Sequence, residues 1–398
     1  MPNVFERAYQ AVIARLSRIQ GSAKLVPELE SLRFVAIASV FVTHLNGYLL
    51  AKSTAAWALD GRGSFWDRLF QQGGYGVQLF FVISGFVLAL PFALQHLGRG
   101  PAVRPGPYYL RRLTRLEPPY LACLGILFLA QVFYNHQPVA VLLPHLAASA
   151  LYLHAAIYHK MSTIDPVTWS LEVEIQFYLA APWLARIFLV RNRARRLALL
   201  LAGCLCFQAL QAYCGWGDDR DSPNLLHYLP YFLMGFALVD LHLHGDLAPA
   251  VTRAWAWDLL IAALAPLTVA LAMAAPQWLP LALPWALLAL VSAFFRGRWA
   301  RRALSGTLPV TIGGMCYSIY LFHQTLISSV ARFSIRLGFG GAYLPNFLLQ
   351  AAITGAVVLA LTGVFFALVE RPCMRRDWPQ RLAARLWGRP LPASPSRP

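Results

Sequence analysis

The chain has 398 residues, 58% of them apolar and 13% charged, with a mean hydropathy of +0.53; this composition excludes an ordinary soluble globular protein and points to a bilayer. Lys plus Arg number 34 against 17 Asp plus Glu, a surplus that suits nucleic acid or an anionic membrane as partner. The basic residues fall in short clusters between apolar runs, with no RNA- or DNA-binding motif, so no nucleic-acid partner is expected. The six cysteines lie mostly inside apolar segments without zinc-ligand spacing, which argues for small packing residues and against a disulfide framework or a metal site.

Taken in order, residues 1–27 form a basic amphipathic segment. Phe5, Tyr9, Val12, Leu16 and Ile19 recur at helical spacing with arginines between them, which suits an interfacial helix on anionic lipid and equally a solvated basic tail. No short apolar core precedes a small-residue cleavage site, so no cleavable signal peptide is expected. A bilayer core of ~30 Å needs about 20 apolar residues per helix. Ten runs approach that length: 32–50, 74–94, 118–135, 169–190, 197–214, 225–243, 255–275, 278–295, 308–331 and 346–369. The stretch 139–157 is interrupted by Pro144 and carries His145 and His154, and reads as an outer-face or re-entrant element.

Charge placement tests this count, because cytoplasmic loops are rich in Lys and Arg. With the N-terminus inside, those segments hold Arg7, Arg15, Arg18 and Lys24, the 99–115 cluster, Arg191 to Arg196, Arg253, Arg296 to Arg302 and the arginines beyond Glu370. The alternate loops are poorer in basic residues, and one is acidic through Asp218, Asp219 and Asp221. Counting 139–157 as a full span would reverse every later loop. The expectation is an all-α polytopic membrane protein of about ten transmembrane helices with both termini cytoplasmic. Residues 28–373 form the membrane domain, and 374–398 form a basic, Pro-rich cytoplasmic tail whose end, Arg389 to Pro398, is expected to be disordered.

An ionisable side chain inside a span costs at least a few kcal/mol, so each is a functional candidate by default. Arg33 and His44 are eleven residues apart on the first span, which puts them on one face at two depths separated by ~16 Å. They form either a working pair or a snorkelling Arg beside an unrelated His. Glu172 and Glu174 open the fourth span about 200° apart, so one is expected toward the bundle interior and the other at the wet outer rim. His323 lies in the outer half of the ninth span, as a site residue or as a packed His bonded to a Ser or a carbonyl. Arg111, Arg112 and Arg115 precede the third span at spacing that suits phosphate binding and that topology alone would also require.

These segments, in order, resemble the acyltransferase-3 family. Arg33-x10-His44 after Leu29-Glu30-Ser31-Leu32 is similar to its first-span signature, and Gly76 to Phe86 to its second-span motif. Arg111-Arg112-Leu113-Thr114-Arg115 with Pro118 and Tyr120 is similar to its basic loop, and Trp169 to Tyr178 to its Trp-Ser-Leu-x-x-Glu-x-x-Phe-Tyr motif. Tyr317 to His323 and Glu370-Arg371-Pro372 resemble its last two spans. The resemblance implies transfer of an acyl group, often acetyl, from cytoplasmic acyl-CoA to a hydroxyl of an envelope carbohydrate or related glycolipid, in the bacterial inner membrane and without a metal. Two departures bear on the acceptor or the acyl group: Glu172 stands where relatives carry a small or uncharged residue, and Gln324-Thr325 replaces the Trp- or Pro-containing sequence common after the His.

Such transfer needs a base, donors for the oxyanion and a phosphate site. His44 is the expected base, Glu174 orients its ring or holds its charge, and His323 contacts the acceptor or assists proton transfer. Arg33, Arg111, Arg112 and Arg115 are expected to bind the phosphates of acetyl-CoA or another acyl-CoA. The rival is a transporter or flippase for a lipid-linked sugar, whose inverted repeats and paired broken helices are not visible.

Overall fold

The computed structural model describes residues 4–19, 27–215, 223–375 and 377–387, and these form helices and their connections, without a strand. Lys24, Asp218, Asp219, Asp221, Arg389 to Pro398 and the side chains of Phe5, Arg7 and Tyr9 lie outside the described residues. The helices of ten residues or more are α1 (Val4–Leu16), α2 (Pro27–Lys52), α3 (Gly76–His96), α4 (Pro105–Phe133), α5 (Val139–Ala150), α6 (Trp169–Leu184), α7 (Arg193–Cys214), α8 (Leu225–Leu243), α9 (Ala254–Ala274), α10 (Leu279–Arg296), α11 (Cys316–Ser334), α12 (Tyr343–Phe365) and α13 (Trp378–Trp387).

Among the described residues, eight helical stretches are long and apolar enough to cross a membrane, built on α2, α3, α4, α7, α8, α9, α10 and α12. Helix α9 is the extreme case, with 6% of its most apolar window buried inside the protein. In water that surface would cost ~25 cal/mol per Å²; lipid is the solvent that accepts it. Two of the ten expected runs fall outside this set. Helix α6 is 16 residues long and tightens into a 3-10 turn over Ala185–Leu189. The run 308–331 is divided at Met315 into Thr307–Gly314 and α11. Just before the break the backbone packs closely on α2: a Cβ on Gly313 would stand 1.8 Å from the Glu30 carbonyl oxygen. Helix α5, at 12 residues, is too short for a ~30 Å core.

Close approach also sets the middle of the bundle. Helices α3 and α8 cross where a Cβ on Gly85 would meet the Phe232 carbonyl at 2.4 Å, and one on Gly235 the Val82 carbonyl at 2.3 Å. Small residues at such crossings let backbones touch where no hydrophobic drive exists between helices. Around this crossing Phe81, Phe86, Phe177, Phe232 and Phe236 are buried in one cluster, with Phe177 and Phe232 stacked at 3.8 Å between ring centres. The arginines that opened the fifth expected span do more than mark topology. Arg196 is buried and pairs with buried Asp240, to which Arg193 Nε also donates at 3.0 Å. Desolvating a charge is tolerable only with such partners.

Candidate active site

Helix α2 brings charge to the bundle at its first turns. Glu30 is buried, and its Oε1 accepts from Arg33 Nη1 at 2.6 Å, the ordinary i,i+3 helical pairing, and from Arg18 Nη1 at 2.7 Å. Helix α4 is stapled to α6 by two phenols: Tyr108 donates to the Tyr178 carbonyl at 3.3 Å and Tyr109 to that of Leu179 at 3.0 Å. One turn on, the Arg112 guanidinium stands 5.9 Å from the Tyr108 ring centre and 5.6 Å from that of Tyr178, a cation–π arrangement that holds it in place.

These elements enclose a cavity of about 120 Å³ whose wall includes Arg18, Arg33, Arg112, Arg115, Glu174 and Glu370. The Glu174 carboxylate accepts from Ser84 Oγ at 2.8 Å and from Tyr178 OH at 2.5 Å through the same oxygen, Oε1. Glu370 is tied to the start of α11, with its Oε2 accepting from Ser318 Oγ at 2.5 Å and Ser318 N at 3.0 Å. Four guanidiniums therefore share one small space with two carboxylates. Such a wall selects an anion, and the paired N–H groups of arginine suit phosphate.

The two histidines meet each other outside that wall. The rings of His44 and His323 lie 5.0 Å apart between centres, edge to face at 63°. His323 Nδ1 is 2.8 Å from the Tyr320 carbonyl oxygen. A carbonyl only accepts, so Nδ1 carries the proton and Nε2 is a bare lone pair. That Nε2 is buried and has no hydrogen-bond partner among the described residues. The cavity reaches within one turn of it, because Tyr320 itself lines the wall and its hydroxyl donates to the Val167 carbonyl at 2.6 Å.

Of the residues singled out from sequence, Arg33, Arg112, Arg115 and Glu174 come together on the cavity wall, and His44 with His323 form a second group. Arg111 is exposed and not part of the wall. Glu172 does not reach a wet rim. It is buried and accepts from the Ala155 amide at 3.1 Å, anchoring the short helix His154–Tyr158. The two glutamates do part company, but both meet protein: Glu174 lines the cavity and Glu172 binds the short helix. The structure adds Arg18, Ser84, Tyr320 and Glu370 to the wall; Ser84, Tyr320 and Glu370 stand as polar residues within the runs 76–86, 317–323 and 370–372.

Behind this site, Asp165 sits on the loop before α6, buried, with neither carboxyl oxygen meeting a hydrogen-bond partner of good geometry among the described residues. Burial pushes its carboxyl up to about 8, opposed in part by the Val167 amide. Among the described residues no group of three or more His, Cys, Asp or Glu is placed to hold a metal ion.

The chain matches the acyltransferase-3 family, described as an acyltransferase domain, over residues 26–369. It is 28% identical over 338 residues to the exopolysaccharide production protein ExoZ of Rhizobium meliloti, covering 80% of this chain and 95% of that protein. It is 27% identical over 179 residues to the peptidoglycan O-acetyltransferase OatA of Listeria monocytogenes, covering 42% of this chain and 25% of OatA. The O-acetyltransferase OatA of Staphylococcus aureus is 25% identical over 185 residues, with 44% of this chain and 27% of that protein covered. The chain thus aligns with almost all of ExoZ and with about a quarter of each OatA protein. No solved structure matches it. A helical multi-pass architecture, a cationic cavity and a family match across most of the chain agree: this protein belongs to the acyltransferase-3 family, and it is a membrane acyltransferase homologous to ExoZ and the OatA O-acetyltransferases.

Proposed function

We propose that this protein is a bacterial inner-membrane O-acyltransferase that moves an acyl group, acetyl in the first instance, from cytoplasmic acyl-CoA to a hydroxyl of an envelope carbohydrate or glycolipid. The observation that carries the reading is the pairing of a cavity walled by Arg18, Arg33, Arg112 and Arg115 with a histidine pair one turn beyond it. The arginines take the phosphates of the donor, and the pantetheine arm runs past Glu174 and Tyr320 toward the histidines. There His44 removes the proton of the acceptor hydroxyl and His323 shares it through its bare Nε2. The new oxygen–carbon bond forms as the thioester carbon–sulfur bond breaks, and the thiolate leaves as CoA after taking up that proton. Glu174, fixed by Ser84 and Tyr178, balances the positive charge that moves along this path.

The names of the relatives, an exopolysaccharide production protein and peptidoglycan O-acetyltransferases, support a polysaccharide or its lipid-linked precursor as acceptor. In this reading α6 and α11 complete ten spans within a membrane domain at 28–373. Both termini and the basic tail at 374–398 are cytoplasmic, where the arginine clusters favour them.

The test uses membranes bearing wild type and His44→Ala with radiolabelled acetyl-CoA, following label into envelope carbohydrate and CoA release in parallel. Wild type should transfer label, and His44→Ala should insert normally and lose transfer by at least 100-fold, the order expected for a lost general base. Acylation retained by the variant removes His44 from the mechanism. Absence of transfer by wild type with any acyl-CoA, together with passage of a lipid-linked sugar across the membrane, would favour the transport reading.

A further inference from the structure

The family match begins at residue 26, yet Arg18 lies before it and lines the cavity beside Arg33, Arg112 and Arg115. Its position is built. Arg371 donates Nε to the Ser17 carbonyl and Nη2 to that of Ala14, each at 3.1 Å. One guanidinium thereby satisfies carbonyls that the last turn of α1 leaves without helical partners. Ser17 Oγ closes the same turn on the Ile13 carbonyl at 2.7 Å. Leu16 packs with Ile37, Met315, Val358 and Phe366, and a Cβ on Gly363 would meet its Cδ2 at 3.4 Å. Arg18 itself passes Gly314, where a Cβ would stand 3.6 Å from its own Cβ.

The charge arrangement gives this placement a purpose. Arg18 and Arg33 share a single oxygen, Oε1 of Glu30, while Oε2 of that buried carboxylate has no hydrogen-bond partner among the described residues. Two guanidiniums on one carboxylate leave a net positive charge, and each offers five N–H donors of which Glu30 engages one. A purely structural clamp would be served by one arginine per carboxylate. The surplus faces a cavity that already holds Arg112 and Arg115.

We propose that the turn following α1 is a working wall of the donor cavity and that Arg18, held by Glu30 and by the tie of Arg371 to Ser17 and Ala14, binds a phosphate of acyl-CoA. This rests on the acyl-CoA reading above and adds a residue, and a segment, that the family match does not reach. Loss of that turn would weaken donor binding while leaving the acyl-transfer step intact.

The test uses the full chain in nanodiscs, comparing wild type, R18Q, R18K and R112Q. Steady-state CoA release separates donor KM from kcat. A second readout needs no turnover: maleimide labelling of Cys316, which lines the cavity, in a C206S/C214S background that removes the two exposed thiols. R18Q is expected to raise KM for acetyl-CoA about tenfold, the loss of one charge-assisted hydrogen bond, with kcat within twofold. R18K is expected to recover part of that loss, and CoA should protect Cys316 in wild type at about tenfold lower concentration than in R18Q. An R18Q KM within twofold of wild type while R112Q rises overturns the role of Arg18 and leaves the donor site standing. Unchanged KM in both overturns the donor reading and Arg18 with it. Should R18Q not reach the membrane, R371Q carries the test. It keeps the Arg18 charge but unties the end of α1; the same rise in KM is expected, and an unchanged KM overturns the proposal.

Discussion

Replacing Glu174 by Gln keeps the shape of the side chain and removes its charge, so it isolates what that charge contributes. In the structure Oε1 accepts from Ser84 Oγ at 2.8 Å and Tyr178 OH at 2.5 Å, and the glutamine carbonyl can accept both. A hydrogen bond to a charged group contributes ~1.5–3 kcal/mol and a neutral one ~0.5–1.5 kcal/mol. Exchanging two of the first kind for two of the second costs about 2–3 kcal/mol. If that stabilisation acts on the moving proton, kcat falls about 30- to 150-fold. Donor binding should go the other way, since removing a carboxylate from a wall that holds four arginines makes the cavity more cationic. The expected signature is therefore a large fall in kcat with an unchanged or lower KM for acetyl-CoA, measured by CoA release from protein of normal size-exclusion profile. A kcat within threefold of wild type would refute the charge-balancing role, and a raised KM would show that Glu174 instead orders the arginines for the donor.

Two other variants test the packing and the buried acid. Gly313→Ala places a methyl 1.8 Å from the Glu30 carbonyl and should lower the detergent-solubilised unfolding temperature by several degrees, as overpacking of ~1–3 kcal/mol does. Gly47→Ala, inside α2 where nothing lies within 4 Å, is the control and should be neutral or slightly stabilising; equal losses in both would show that the close approach does not set the cost. Asp165 has a carboxyl raised from 3.8 to about 8, so the folded chain keeps a proton that the unfolded chain releases. Its stabilisation is complete below about pH 4 and is lost as pH rises through about 8. Thermal stability should fall across that window, and Asp165→Asn should flatten the fall; an identical slope in the variant would show that Asp165 does not titrate there.

Composition and periodicity were enough to identify the solvent and the cast of charged residues. Apolar runs of span length have few ways to satisfy their backbone in lipid other than as helices, and this is why α2, α3, α4, α7, α8, α9, α10 and α12 were legible from composition alone. Arg33, Arg112, Arg115, Glu174, His44 and His323 stood out for the same reason, because a charge or imidazole within an apolar run demands an explanation.

Partnership was not legible, because helical spacing assigns a residue to a face but not that face to a neighbour. Ser84 meets Glu174, Ser318 meets Glu370, Arg18 meets Glu30 and Arg371 meets Ser17, and in each case the crossing of helices distant in sequence makes the pair. The same limit hid the Ala155 amide that takes up Glu172, and it made Arg111 and Arg112 equivalent until Tyr108 and Tyr178 took up Arg112. The close approach of Gly313 to the Glu30 carbonyl, beside the break at Met315, was equally illegible. Close packing between backbones is a property of two segments at once, and neither segment carries it alone.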